Sequence, residues 1–562
     1  MSQASKTSET NPSRASSVLY LSMFVMGGCG LAYQYTLSKL ASDLLGNSVQ
    51  QWAIVIGVMM FFMGVGSDIQ KHTSDGQLLE KFIGAELVLA LVGAFSPILI
   101  LKTYGSWPHG FALVQYGLIA VLGTLIGFEI PLLARINEKY VSDLKFNLGG
   151  ILRMDYIGSL AGALLWVFVL PFFFSITQIP FALGALSLAA AALAMLFFVR
   201  QLERRAVVLW SFLISGVLLI FGATQVNDWT FHAEQKLYKE RIIFSESSPY
   251  QRVVLTQSKT NDISLFINGN LQFNSFDEHI YHENLVHPAM SIAPQRKRVL
   301  ILGGGDGLAA REVLKYPSVE ELVLVDLDPL ITTLARKNTH FRALNQDSLN
   351  HPHVTVIDND ALVDSGSTEM HIRNQNRRHG REFAPQGKVK ILNLDAVRFL
   401  EQTSGFFDVI ILDFPDPNSP ELAKLYSLRF YELLSRRLTP GGLVIQQATS
   451  PIFAKEAFLV IGRTLHAAGL AALPISDTVP SFGRWGFWLA GHEQHYSSES
   501  LLSRIHGTSK IPVPTSYLTV DRMRANVAFG KAELVTPHED ITTTTSNRVY
   551  EYYIEGWNRN FF

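Results

Sequence analysis

The pattern of apolar and polar positions changes once along the chain. Up to about residue 225 the sequence is a succession of apolar runs; from about 228 onward charged residues, turn residues and short apolar stretches alternate as in a water-soluble protein. Seven runs, at about 18–38, 52–69, 82–101, 112–134, 154–172, 176–199 and 207–225, come near the length a membrane-spanning helix needs. That length is roughly 20 apolar residues, because every backbone polar group must be satisfied within the segment. Pro171 and the FFFSITQIP stretch separate the fifth run from the sixth. The first 17 residues are polar, carry two basic side chains and lead to no small-residue cleavage site, so they are read as a retained tail, not a signal peptide.

Within the apolar half, GSLAGA (158–163) and LGALSLAAAALA (183–194) predict faces where helices pack closely. Glu86, Glu129 and Asp155 lie in or beside the spans, where an ionisable group is costly and a functional candidate by default. Pairing with a neighbouring helix, or with Arg135 or Arg153, is the simpler expectation. One set of loops holds Lys71, Lys81, Arg135, Lys139, Lys145, Arg200, Arg204 and Arg205, against Lys39 and Lys102 on the other. Basic loops stay inside, so the N-terminus is expected in the cytoplasm, and seven spans then carry residues after 225 outside.

The second half reads as alternating strands and helices. KRVLILGGGDG (297–307) is an apolar strand running into a glycine-rich turn, with a helical pattern after it. LVLVDLDP (322–329) is a second strand ending in Asp326, about twenty residues on, where such folds place an acid on ribose hydroxyls. FDVIILDFPDP (407–417) and GGLVIQQATSP (442–451), with YSLRFYELLSRRL between them, continue the alternation expected of a parallel, doubly wound sheet. Ligands bind at the carboxyl edge of such sheets, which brings Asp306, Asp326, Asp413 and Asp416 to one crevice. An Asn-Gly pair at 268–269 between apolar strands predicts a hairpin.

The resulting domains are a polar tail (1–17), a multi-pass membrane domain of about seven helices (18–227) and a β-rich lead-in subdomain (228–296). A Rossmann-like, methyltransferase-type α/β domain (297–495) follows, with a polar insertion at about 361–387, and then a C-terminal extension (496–562). RVYEYYIEGW in that extension suits a docked helix or strand. At 562 residues the chain needs more than one core. Lys and Arg number 47 against 48 Asp and Glu, so no basic excess points to nucleic acid. Cys29 is the one cysteine, which excludes an internal disulfide and a thiolate metal cluster, and neither HExxH nor an EF-hand spacing is present.

GGGDG (303–307), VDLDP, DFPDPNSP (413–420) and LFINGNLQFNSFDEHIYHENLVHP (265–288) together resemble the spermidine synthase family over roughly residues 240–495, and the apolar half looks like its membrane-anchored branch. The resemblance implies transfer of a propylamine group from decarboxylated S-adenosylmethionine, as co-substrate, to putrescine or a related diamine, with no prosthetic group or metal. It implies Asp413 as proton acceptor. Gln251, Gly303, Gly304, Gly305, Asp326 and Pro420 would then serve the donor nucleoside, together with Asp395 and Ala396. Asp360, also followed by Ala, competes with Asp395 for the adenine position. Gln272, Tyr281, His282, Asp306 and Asp416 would hold the amine.

The chemistry asks for these residue types independently of any family. A polyamine is a multiply protonated chain and needs carboxylates spaced along a narrow crevice. Its attacking nitrogen must lose a proton to a nearby base before displacing a thioether from a sulfonium. Two departures stand out: Phe414 and Pro415 follow Asp413 where the family has small residues, and Phe482, in VPSFGRWGF, stands where polyamine-making relatives commonly have Tyr. The competing functions are an S-adenosylmethionine-dependent methyltransferase and a non-catalytic polyamine transporter or sensor, for which the intramembrane acids would line a path. Cytosolic chemistry places the second half in the cytoplasm, against the span count. The lipid bilayer and small-molecule substrates are the expected partners; a homo-oligomer is left open.

Overall fold

The computed structural model of the chain describes residues 12–45, 48–350, 354–357 and 389–559. It divides into two compact units, Met1–Ile242 and Ile243–Phe562.

The first unit is helical. Among the described residues, seven helices are long and apolar enough to cross a membrane by length and composition: Pro12–Leu45, Gln50–Gln70, Leu78–Ser106, Phe111–Asn137, Leu144–Phe173, Ile179–Gln201 and Arg205–Gln235. The last continues past residue 227, since Asn227 and Asp228 end an apolar run without ending a helix. The small residues do pack closely. A Cβ on Gly158 would lie 2.0 Å from the Phe24 carbonyl oxygen, one on Gly162 2.2 Å from that of Gly28, and one on Gly184 3.0 Å from that of Ala90. Glu86 and Glu129 are both 1% exposed, and neither Glu86 oxygen has a hydrogen-bond partner among the described residues. Arg135 pairs with Asp75 instead of an intrahelical acid.

The second unit contains two sheets. Strands β1 (Arg241–Ser247), β2 (Arg252–Gln257), β3 (Ile263–Ile267) and β4 (Asn270–Asn274) form the smaller sheet in sequence order. The turn between β3 and β4 is the expected Asn-Gly pair, with positive φ at both Asn268 (50°) and Gly269 (79°), which suits the strand twist. The lead-in subdomain is thus a four-stranded sheet, larger than the hairpin its turn announces. It is followed by the helix Glu278–Ile292.

The larger sheet comprises β5 (Arg298–Gly303), β6 (Glu321–Asp326), β7 (Val354–Ile357), β8 (Val389–Asn393), β9 (Phe407–Asp413), β10 (Leu438–Gln447), β11 (Leu470–Val479) and β12 (Gly483–His492), in the order β11-β12-β10-β9-β5-β6-β8-β7. β10, β9, β5, β6, β8 and β7 run parallel, with near-continuous apolar cores such as Val299–Leu302 buried on both faces. The expectation of a parallel sheet needs correction at one edge: β12 is antiparallel to both β10 and β11, so the sheet is mixed. The physical reason is the link between β11 and β12, residues 480–482, far too short for the crossover that parallel neighbours require. Chain order reverses between β5 and β9, which opens a crevice at their carboxyl ends. Beyond β12 lie the helices Ser498–Gly507, Val520–Ala525 and Arg548–Arg559.

Candidate active site

The glycine turn after β5 draws the site together. Gly303, Gly304 and Gly307 have φ of 82°, 63° and 81°, a left-handed conformation that side chains resist. Close approach adds a second reason. A Cβ on Gly303 would meet the Asp413 carbonyl oxygen at 2.1 Å, and one on Gly305 would meet Asp326 Oδ2 at 2.6 Å. The turn therefore lies between the end of β6 and the end of β9, with an acid on each side. Asp326 accepts the Gly305 N–H (2.9 Å) and the Asp328 N–H (2.9 Å), and Asp306 accepts the Leu308 N–H (2.8 Å) at the start of the next helix.

These groups line a cleft open to solvent. One wall carries the glycines with Asp326, Asp395 and Ala396, and Gln251 and Gln272 come from the small sheet. Tyr281, His282, Asp306 and Asp413 line it as well, with Asp413 against the Gly303–Gly304 side of the turn. His282, Asp306 and Asp413 each have one polar atom within 4.8 Å of the others'. Tyr281 donates its hydroxyl to Asp413 Oδ1 at 2.7 Å.

Burial sets the protonation. It raises Asp413, Asp306 (to about 6) and Asp326 (to about 7) above the carboxylate range, opposed by His282 at the first two and by backbone N–H groups at the third. His282 goes the other way. Burial alone would lower it, but Glu278, 2.8 Å from Nδ1, holds it up at about 9. The ring therefore carries a proton on both nitrogens at neutral pH. It tempers the acids beside it.

A buried network fixes that histidine. Glu278 is gripped by Arg311 through Nη1 (2.7 Å) and Nη2 (3.0 Å), and these contacts with His282 pull it down to about 2 against the effect of burial. Arg311 Nε also donates to Glu312 (2.8 Å), which faces His287 Nε2 at 2.9 Å. Just before the helix, Asp277 accepts the Ser481 N–H (2.6 Å) and hydroxyl (3.0 Å), tying it to the turn that carries Phe482.

Several expected residues sit differently. Phe482 does not line the cleft; it packs on Tyr281 (ring centroids 6.3 Å) and on Trp485 (5.0 Å). Asp416 also lies off the described lining, accepting a hydrogen bond from Thr449 Oγ1 at 3.2 Å, and burial raises it to about 6. Pro420 opens the short helix Pro420–Ala423, and the cleft is touched there by Leu422 and Leu425 instead. Asp395 caps the helix Ala396–Gln402 and reaches the cleft, whereas Asp360 and the polar insertion at 361–387 lie outside the described residues. Sequence reasoning passed over Tyr250, Asp328, Leu394 and the apolar pair Phe414 and Pro415 as lining groups. Asp328 had a visible signal, as the second acid of VDLDP; it caps the helix Pro329–Lys337 and accepts the Ser248 hydroxyl at 2.8 Å.

The pattern that defines the "Spermine/spermidine synthase domain" matches residues 278–365 and 363–500. Over 548 residues the chain is 35% identical to "Polyamine aminopropyltransferase 2" of Ralstonia nicotianae, covering 97% of this chain and 99% of that one. It is 36% identical over 521 residues to "Polyamine aminopropyltransferase" of Oceanobacillus iheyensis, covering 92% and 93%. A solved spermidine synthase in complex with the transition state analogue AdoDATO is 23% identical, with a TM-score of 0.41, over 52% of this chain and 88% of its own. With relatives this similar along nearly the whole length, the chain belongs to the polyamine aminopropyltransferase family, the spermine and spermidine synthases.

Proposed function

We propose that the cleft transfers a propylamine group from decarboxylated S-adenosylmethionine to putrescine or a related diamine, with Asp413 as proton acceptor. The observation that carries this reading is the close grouping of Asp306, Asp413 and His282 beside a glycine turn whose far side holds Asp326. The donor's ribose hydroxyls meet Asp326, its adenine lies toward Asp395 and Ala396, and Gln251 and the glycine backbone flank the nucleoside. The sulfonium then points toward the other end of the cleft, where the acceptor amine is held by Asp306 and Asp413, with Gln272 and Tyr281 beside it. The amine nitrogen gives up a proton to Asp413, its lone pair forms the new C–N bond, and the C–S bond breaks with its electron pair going to sulfur. The products are the aminopropylated amine and neutral 5′-methylthioadenosine. A sulfonium is already an activated leaving group, so positioning supplies much of the remaining acceleration. Incubating the full-length protein with decarboxylated or intact S-adenosylmethionine and a set of diamines, followed by mass analysis, tests this: aminopropylated amine supports it, and a methylated product or none refutes it.

We further propose that the seven apolar helices span the cell membrane and that the second unit faces the cytoplasm. The length and composition of the helices support the first point. The second follows from the donor, a charged nucleoside that does not cross lipid unaided, and it outweighs the basic loops that favour the opposite side. Cys29 is buried, so a cysteine introduced at exposed Lys259 reports the side. Labelling of Lys259→Cys by an impermeant reagent on intact cells refutes a cytoplasmic catalytic unit.

A further inference from the structure

The link between β1 and β2 reads Ser248, Pro249, Tyr250, Gln251, and its last two residues line the cleft. Tyr250 is 45% exposed, so this is a surface loop that reaches the site from the small sheet. Such links are ordinarily mobile. Here one serine hydroxyl fixes the loop. The Ser248 N–H donates to the Gln251 carbonyl at 2.9 Å and closes the turn, while Pro249 sets its own φ and has no N–H to satisfy. Ser248 Oγ accepts the N–H of Tyr250 (3.1 Å) and of Gln251 (3.1 Å). It donates to Asp328 Oδ2 at 2.8 Å, nearer than the Gln251 carbonyl at 3.3 Å. The hydroxyl thereby uses its proton and both lone pairs. Asp328 belongs to the large sheet, two residues past the end of β6, and is 2% exposed. Its Oδ1 accepts the Leu330 N–H (2.9 Å) as a helix cap, and its own N–H donates to Asp326 Oδ1 (2.9 Å). The other Asp326 oxygen holds the Gly305 N–H. A continuous chain of hydrogen bonds therefore runs from the glycine turn through Asp326, Asp328 and Ser248 to the backbone of Tyr250 and Gln251.

We propose that Asp328, acting through Ser248, is a positioning residue for the donor: it latches the β1–β2 loop to the end of β6, so that Tyr250 and Gln251 meet the nucleoside at a fixed distance from the ribose acid Asp326. This rests on the reading of the cleft as an aminopropyltransferase site. The ligand class is a 5′-thioadenosine nucleoside, the part common to decarboxylated S-adenosylmethionine and 5′-methylthioadenosine. Asp326 comes from the large sheet and Gln251 from the small one. A nucleoside touched by both is bound well only if the two keep their spacing. A loop already fixed in place loses less freedom when the ligand arrives, and that saving appears as affinity. Asp328 acts indirectly, since each of its oxygens already has a protein donor. The acceptor side has supports of its own, the Tyr281 hydroxyl on Asp413 and Glu278 on His282, so the effect of the latch is confined to the donor.

The test uses full-length Ser248→Ala, Ser248→Thr and Asp328→Asn. Calorimetry gives the affinity for 5′-methylthioadenosine, and kinetics give the donor KM and, at saturating donor, the acceptor KM with putrescine. Ser248→Ala is expected to weaken nucleoside binding and raise the donor KM roughly tenfold, the worth of a hydrogen bond to a charged group, with the acceptor KM unchanged. Ser248→Thr keeps the hydroxyl and should stay near wild type. Asp328→Asn keeps an oxygen to cap the helix but loses the charged acceptor, so it should shift the donor KM in the same direction as Ser248→Ala. The decisive measurement is a double-mutant cycle. In a Tyr250→Ala/Gln251→Ala background the latch has nothing left to position, and adding Ser248→Ala should weaken nucleoside binding no further. A merely structural contact would cost the same in both backgrounds. A wild type that neither binds 5′-methylthioadenosine nor transfers a propylamine group sinks the parent reading and this one together. A wild type that does both, with Ser248→Ala unchanged in nucleoside affinity and donor KM, overturns only the latch. Parallel loss of donor and acceptor affinity, or a fully additive cycle, also overturns it, by marking the hydrogen bond as general support.

Discussion

Replacing Asp413 with Asn isolates the proton-acceptor role from the shape of the site. Asp413 ends β9, and its Oδ1 receives the Tyr281 hydroxyl at 2.7 Å. An Asn side chain in the same rotamer keeps that acceptor, so the packing of Tyr281 and the glycine turn should survive. The variant loses a basic oxygen beside the attacking nitrogen. General-base catalysis contributes roughly 10²- to 10⁴-fold, or about 3 to 5 kcal/mol of barrier, and kcat at neutral pH should fall by that factor. The pH dependence gives the sharper signature. An aliphatic ammonium has a pKa near ~10, so below it the deprotonated fraction grows about tenfold per pH unit. The wild-type rate levels off once Asp413 is ionised, while the variant continues to climb because its amine must arrive already neutral. The gap between them should therefore narrow steadily toward alkaline pH. Single-turnover rates at saturating amine and donor across pH 7 to 10, with product identified by mass, are the appropriate assay. A variant that matches wild type at neutral pH, or a gap that stays constant with pH, refutes the assignment.

Asp326→Ala should weaken donor or 5′-methylthioadenosine binding by about 1.5 to 3 kcal/mol, roughly 10- to 150-fold, with little change in amine affinity, as calorimetry would show. Since burial holds Asp326 up at about 7 in the free protein, its ionised form accumulates only as pH rises through that value, and donor affinity should strengthen across that interval. Glu278→Gln leaves His282 without its buried counter-charge and Arg311 with Glu312 alone, and should cost about 3 to 5 kcal/mol, read as a lower thermal midpoint of the detergent-solubilised protein. The same pair gives stability a signed pH profile. His282 is raised to about 9, so its contribution is complete below the unfolded value near 6.5 and lost as pH rises through 9; Glu278 is lowered to about 2, so its contribution is present above about 4.5 and lost as pH falls through 2. Melts of wild type across both ranges, compared with Glu278→Gln, should show the two flanks collapse in the variant.

What was legible in the sequence is what short-range constraint writes there. GGGDG demands backbone that only glycine tolerates, and the apolar strands before it place Asp306 and Asp326 with no further information. The Asn-Gly turn is equally local. The seven apolar runs correspond to seven long helices because hydrocarbon-like stretches leave few alternatives, but their polar ends were invisible to hydropathy. The mixed edge of the large sheet was missed because LAALPISDTV and GRWGFWLAGH were not read as strands, and their near-continuous burial lacks the alternation that marks a half-buried strand. The polar supports were beyond reach for another reason: Glu278 meets Arg311 across 33 residues and Asp277 meets Ser481 across 204. Nothing in the spacing of such residues announces their pairing, because the intervening chain sets it.

The same supports explain why the acids can be so crowded. Asp306 and Asp413 lie within reach of one another and are both raised by burial, and Asp326 sits on the other side of a three-glycine turn. The cation at the centre of this group is His282, held charged by Glu278, and Glu278 is in turn held charged by Arg311. Without that relay the histidine would be buried and neutral, and each acid would rise further. With it, a cation opposes the rise that burial imposes on Asp306 and Asp413. A crevice lined by these carboxylates suits a polyammonium chain with a sulfonium beside it, since a cation favours the ionised form of each acid. In the proposed mechanism the cationic substrate favours the ionised form of Asp413, the form that can accept a proton. Asp413 and Asp306 differ in what orients them: Asp413 accepts a side-chain hydroxyl, that of Tyr281 at 2.7 Å, whereas Asp306 accepts the backbone N–H of Leu308 at 2.8 Å.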